Sequence, residues 1–138
     1  ARFFASSPIT SVHGEASSNK NFLSENVAAS LSFANGSLAN ILYTANGDDS
    51  REKENYQIFS GGKNFKIDDF RRLEISHQGK SIVKRNSQDK GMKQSLHSFI
   101  KAVSDKNANP IDENEIIDSS QGTIAILESI RNGDRIKF

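Results

Sequence analysis

Three short breaks, Asn35-Gly36, Gly61-Gly62 and Gln78-Gly79, each separate two runs in which apolar and polar residues alternate. No other feature constrains the fold as much. A two-residue break between strand-like runs closes a β-hairpin, because its tight turn needs positive φ, which glycine and asparagine adopt at little cost. Successive hairpins build a mainly antiparallel sheet; parallel strands would need crossovers of about a dozen residues or more.

The first hairpin is the clearest. Val27, Ala29, Leu31 and Phe33 point one way, and Ala28, Ser30 and Ser32 the other. A type I′ turn at Asn35-Gly36 sets Phe33 opposite Leu38, Ala29 opposite Leu42 and Leu31 opposite Asn40. It gathers Ala28, Ser30, Ser32, Ala39, Ile41 and Tyr43 on the second face. Residues 56–60 and 63–67 make a second hairpin, with Tyr56, Ile58, Phe65 and Ile67 on one face. Residues 70–77 and 80–85 make a third, with Leu73, Ile75 and Ile82 inside.

After residue 90 the period becomes helical. Met92, Leu96, Phe99, Ile100 and Val103 form the apolar side of a helix of about 15 residues. Asp112, with Glu115 three residues on, opens a second helix as a capping box, and Asn132-Gly133 ends it. Its apolar side is Ile116, Ile117, Ile124, Leu127 and Ile130. Gly122 within it costs about 1 kcal/mol relative to Ala, which close packing would explain. Residues 1–5 read as the last turn of a helix, ended by Ser6-Ser7-Pro8. Residues 9–16 read as a strand, 17–21 and 107–110 as loops, and 135–138 as a short returning strand.

Strands first and helices after define an α+β fold: one domain over residues 1–138, an open, mainly antiparallel sheet, and both helices on one face. The other face is too apolar to meet water well. Association through Ser30, Ser32, Ala39, Ile41 and Tyr43 is therefore expected, with a second copy or with another domain.

The balance of residues narrows the function classes. A net charge of +1 supplies no global field for nucleic acid or an anionic membrane. The absence of Cys excludes disulfides and thiolate metal sites, which suits the cytoplasm. No apolar run approaches the roughly 20 residues that span a bilayer. Arg71, Arg72, Lys80, Lys84 and Arg85 do cluster on the third hairpin, but Phe70 stands alone there as a stacking ring, so an RNA platform is the weaker reading. His13, His77 and His97 are dispersed and suggest neither a metal site nor a triad.

Ala-Asn-Gly occurs twice, and the copies differ. Residues 34–36 close a hairpin. Residues 45–47 open a long polar loop in which Asn46, Asp48, Arg51 and Lys53 offer fixed donors and acceptors of the kind sugar hydroxyls need; the alternative is a solvated charged loop. Lys90, in Gln88-Asp89-Lys90-Gly91, either reaches toward substrate or cofactor phosphate, or merely follows a helix-capping Asp89.

The stretches ENVAASLSFANGSLANILYTANGD, KENYQIFSGGKNFKIDDFRRLEI, QDKGMKQSLHSFIKAV and NPIDENEIIDSSQGTIAILESIRNGDRIKF, in this order, resemble the C-terminal domain of the Gfo/Idh/MocA oxidoreductases, and ARFFASSPITSVHGEA resembles the segment that leads into it. The resemblance implies a two-domain parent. An N-terminal Rossmann domain would bind NAD or NADP, while this domain contacts a sugar, inositol or related polyol, dimerises through its open sheet face and itself binds no cofactor. The Gly-rich fingerprint of that Rossmann domain and the family's Glu-Lys-Pro motif are absent here, so the chain alone is expected to be catalytically silent. The same residues also fit a non-enzymatic interaction module.

Overall fold

The computed structural model of the chain describes residues 1–17, 25–105 and 110–138; most of the two expected loops at 17–21 and 107–110 lies outside these. In chain order the elements are α1 (Arg2–Ala5), β1 (Ile9–Ala16), β2 (Asn26–Phe33), β3 (Leu38–Thr44), β4 (Asn55–Ser60), β5 (Lys63–Asp68), β6 (Arg72–His77), β7 (Lys80–Arg85), α2 (Met92–Ser104), α3 (Glu113–Asn132) and β8 (Ile136–Lys137). The α+β class and the antiparallel pairing are as expected. The strands, however, bond as two four-stranded sheets, β3-β2-β1-β8 and β4-β5-β6-β7, rather than as one. Within the expected single domain, the chain forms two compact units, Ala1–Gly47 with Ile111–Phe138, and Asp48–Pro110.

In the first unit, the turn at Asn35-Gly36 differs from type I′. Of the two residues only Gly36 has positive φ, at 84°. Its N–H donates to the Phe33 carbonyl (2.9 Å), and the Phe33 N–H donates to the Ser37 carbonyl (3.0 Å). This is a type I turn followed by a bulged glycine. One local and two distant bonds hold Asn35 in it: Oδ1 accepts the Ser37 N–H, the Asn35 N–H donates to Ser7 Oγ, and Nδ2 donates to the Ala5 carbonyl. The extra turn residue moves the register by one, so Ala29 pairs with Ile41, Leu31 with Ala39 and Ser30 with Asn40.

A one-residue shift exchanges the faces of β3. Ala39, Ile41 and Tyr43 therefore lie on the face of Val27, Ala29 and Leu31. Ser30 and Ser32 share the other face with Leu38, Asn40 and Leu42. The five residues expected to form one interface are thus split across the sheet.

A bulge in β1, between Ile9 and Ser11, restores the parity of its core residues, so that Ile9 and Val12, three apart, both face inward. With Ala29, Leu31, Phe33 and Ala125 they form the buried core. Each large apolar side chain buried there contributes about 1.5–3 kcal/mol.

Helix α3 packs on β1, but through the side opposite to its apolar stripe. Gly122, Ala125 and Ser129 are buried, whereas Ile116, Ile117, Ile124 and Leu127 are exposed; of the expected stripe only Ile130 is half-buried. Close approach is the reason. A Cβ on Gly14 would sit 2.9 Å from the Ile126 carbonyl oxygen, and one on Gly122 would sit 2.7 Å from Ile9 Cδ1. Small residues fill the centre of this contact, and Ile126 and Ile130 flank it, each 3.0 Å from where a Gly14 Cβ would sit. Asp118 secures the same face, accepting from the Ile9 N–H and from Arg2 Nε at 2.6 Å. The caps at both ends are as expected, Asp112 Oδ1 accepting the Asn114 N–H (2.8 Å) and Gly133 closing the helix at φ 76°, but the Glu115 carboxylate of the expected capping box lies 3.4 Å from Arg2 Nη1.

In the second unit both remaining turns are two-residue hairpin turns with positive φ at each position: Gly61 and Gly62 at 56° and 70°, Gln78 and Gly79 at 49° and 73°. The register places Tyr56 opposite Ile67, Ile58 opposite Phe65 and Ile75 opposite Ile82, as the alternation requires. Between β5 and β6, Asp69 and Phe70 also have positive φ, unusual for residues with a Cβ. Asp69 is held by Gln88 Nε2, which donates to its carboxylate (2.7 Å), and Phe70 packs against the Tyr56 ring. Helix α2 keeps Met92, Leu96, Phe99, Ile100 and Val103 exposed, so the role expected of both helices, covering a sheet, is seen for α3 alone.

Candidate functional site

The loop after β3 begins in the first unit with Asn46, whose N–H donates to Thr44 Oγ1 (3.2 Å). Thr44 Oγ1 in turn donates to Asn26 Oδ1, pinning the end of the strand pair. Asp48, Arg51 and Lys53 belong to the second unit. Asp48 folds on itself: Oδ1 accepts the Ser50 N–H (2.8 Å), and its carbonyl accepts the Arg51 N–H. Hydrogen bonds from the Ser50 side chain and backbone hold the Asp48 carboxyl below its ordinary value, so it stays ionised at neutral pH. All four side chains are exposed.

Lys90 is also exposed. The residue before it does not cap α2. Asp89 Oδ1 accepts the Gly91 N–H (2.8 Å) in a turn ahead of the helix, and Gly91 itself, at φ 74°, is the N-cap. The second unit thus presents one carboxylate, Asp48, and three cations, Arg51, Lys53 and Lys90, to solvent, and the first unit the Asn46 amide.

One arrangement imitates a catalytic triad. Ser129 Oγ lies 3.4 Å from His13 Nδ1, and His13 Nε2 lies 3.6 Å from Glu15 Oε1. Its role is structural. Ser129 is fully buried, donates its hydroxyl proton to the Asp134 carbonyl and accepts the Gly14 N–H (2.9 Å). It thus satisfies a β1 amide beyond the reach of β8 and has no path to a substrate. On the other face of the sheet Arg135 donates to Ser11 Oγ and Ser30 Oγ. Its partners lie more than a hundred residues away, so no local sequence signal marks it.

Two of the five residues of the basic cluster on the third hairpin, Arg71 and Arg72, are paired. Arg72 bridges Asp68 and Glu74, Lys66 reaches Asp68, and Arg71 reaches Asp69. Burial alone would raise the Asp68 carboxyl, but bonds and charge from Arg72 and Lys66 outweigh it and hold it below the ordinary value. Among the described residues no group of three His, Asp or Glu is placed to hold a metal, and no helix is long and apolar enough to cross a membrane.

The fold is that of the C-terminal domain of Gfo/Idh/MocA-type oxidoreductases. The aldose-aldose oxidoreductase of Caulobacter crescentus, solved with glycerol, superposes on 99% of the chain with a TM-score of 0.80 at 12% identity. An oxidoreductase of Agrobacterium radiobacter, solved with NAD+, L-tartaric acid and magnesium, covers 99% with a TM-score of 0.80 at 11% identity. The MviM dehydrogenase of Clostridium difficile covers 97% with a TM-score of 0.74 at 20% identity. The chain spans only 43%, 45% and 44% of these three proteins. Sequence comparison finds no match, either to a protein-family model or to a curated protein.

Proposed function

We propose that this chain is the C-terminal substrate-binding and dimerisation domain of a cytoplasmic NAD(P)-dependent oxidoreductase acting on a sugar, inositol or related polyol. The observation that carries this reading is that nearly the whole chain superposes on less than half of each of several oxidoreductases. Hydride transfer needs a nicotinamide carbon held against the substrate, and an N-terminal dinucleotide-binding domain supplies that. The part of this chain is to bind and orient substrate. Asn46, Asp48, Arg51, Lys53 and Lys90 carry that role by hydrogen-bonding hydroxyls.

Self-association uses the first sheet. Strand β3 lies at its edge and exposes Leu38, Ile41, Leu42 and Tyr43. The reading is tested by translating the gene upstream of Ala1. A strand-turn-helix with Gly-x-Gly-x-x-Gly and a Glu-Lys-Pro motif is expected in the same frame; an unrelated domain there would overturn it. A second reading, a non-enzymatic interaction module, is favoured by the exposed outer stripe of α3. The same translation separates the two.

A further inference from the structure

Asn-Gly occurs three times in the chain, at Asn35-Gly36, Asn46-Gly47 and Asn132-Gly133. The pair is chemically reactive. With no Cβ on the second residue, its backbone nitrogen closes on the asparagine side chain at little steric cost. That nitrogen must first lose its proton and turn toward Asn Cγ. A glycine N–H tied to a carbonyl is therefore protected until its segment opens.

The structure treats the three pairs differently. The Gly36 N–H donates to the Phe33 carbonyl (2.9 Å), and the Asn35 side chain is committed at both ends, to Ser37 and to Ala5. The Gly133 N–H donates to the Ser129 carbonyl (2.8 Å), and Asn132 is the last residue of α3. Gly36 and Gly133 also have positive φ, which the bulged turn and the helix end require. None of this holds at Asn46-Gly47. Both residues are exposed, and among the described residues neither the Gly47 N–H nor the Asn46 side-chain amide has a hydrogen-bond partner. Gly47 lacks positive φ, and a Cβ built on it meets nothing within 4 Å. Neither φ nor space demands glycine at this position.

We infer that Asn46-Gly47 is a site of spontaneous deamidation, a modification that the fold suppresses at the other two pairs. The deprotonated Gly47 nitrogen attacks Asn46 Cγ, a C–N bond forms, and Nδ2 leaves with its hydrogens as ammonia. Water then opens the cyclic imide at either carbonyl, giving aspartate or isoaspartate, with no change of oxidation state. The product puts a carboxylate beside Asp48 and Asp49 where a neutral amide stood. Isoaspartate also lengthens the backbone just after Thr44, whose Oγ1 accepts the Asn46 N–H. The inference stands without the nicotinamide reading.

The test incubates the folded chain at mildly alkaline pH and, in parallel, the chain unfolded in urea. Isoaspartate is counted at each pair by peptide mass spectrometry and by labelling with protein isoaspartate methyltransferase. In the folded chain residue 46 should react at least about tenfold faster than residues 35 and 132, whose segments must open first. In urea the three rates should converge. Gly47→Ala should suppress the reaction at residue 46 and leave the circular dichroism spectrum unchanged. Equal rates in the folded chain would overturn the inference, as would a lead for residue 46 that persists undiminished in urea, because sequence context rather than the fold would then set it. Undiminished deamidation of Asn46 in Gly47→Ala would overturn the assignment of Gly47 as the attacking residue.

Discussion

Gly14 and Gly122 both stand where α3 meets β1, yet an added methyl group meets different atoms at each. At Gly14 it meets the Ile126 carbonyl oxygen at 2.9 Å, which belongs to a helix backbone. Gly14→Ala should cost about 1–3 kcal/mol in chemical denaturation, the usual range for overpacking. At Gly122 it meets Ile9 Cδ1, the far end of a flexible side chain, and gains about 1 kcal/mol of helix propensity, so Gly122→Ala should fall well short of that loss. Ser129→Ala strands a buried N–H and a carbonyl and should cost about 1–3 kcal/mol, although it removes a single oxygen. At Asp68 the expected signal is a pH dependence. Its carboxyl is depressed in the folded chain, so the stabilisation it brings is present above the ordinary value of 3.8 and disappears as pH falls through the lower folded value. Asp68→Asn should flatten this acid limb of the unfolding curve; an unchanged limb would show that other carboxylates dominate it.

At the scale of elements, what the sequence makes legible is set by the length of the periodic signal. Strands β4 to β7 have uninterrupted alternation and turns of the expected kind, and their register follows from the sequence. Strand β1 hides its alternation because the bulge sets Ile9 and Val12 three apart. Asn35-Gly36 is the strongest two-residue turn signal in the chain, yet Ser7 and Ala5, from another segment, hold Asn35 outside the left-handed region. That distant contact shifts the register and divides the expected interface. Helix α3 misleads for another reason. Ile116, Leu127, Ile124 and Ile117 fall within an arc of about 100°, while the buried centre of the strand side is Gly122, Ala125 and Ser129, where the strand approaches closely, with Ile126 and Ile130 half-buried beside it. Apolarity marks the buried side only where there is room for large side chains. The residues after β3 were legible as a polar loop, but their local bonds, such as that of Asp48 to Ser50, were not.

For the whole molecule, β3, α2 and α3 each leave several large apolar side chains exposed. Dimerisation in light scattering is expected, and Ile41→Lys with Tyr43→Lys should shift it toward monomer; a strict monomer that neither substitution alters would remove β3 from the interface. The central claim is that this chain is the substrate half of a nicotinamide enzyme. Its most direct test expresses the natural gene with its upstream sequence and follows NAD(P)H absorbance against a panel of sugars and inositols. The account predicts turnover by the full-length protein and none by the 138 residues alone. A full-length protein that neither binds nor turns over a nicotinamide cofactor would contradict it.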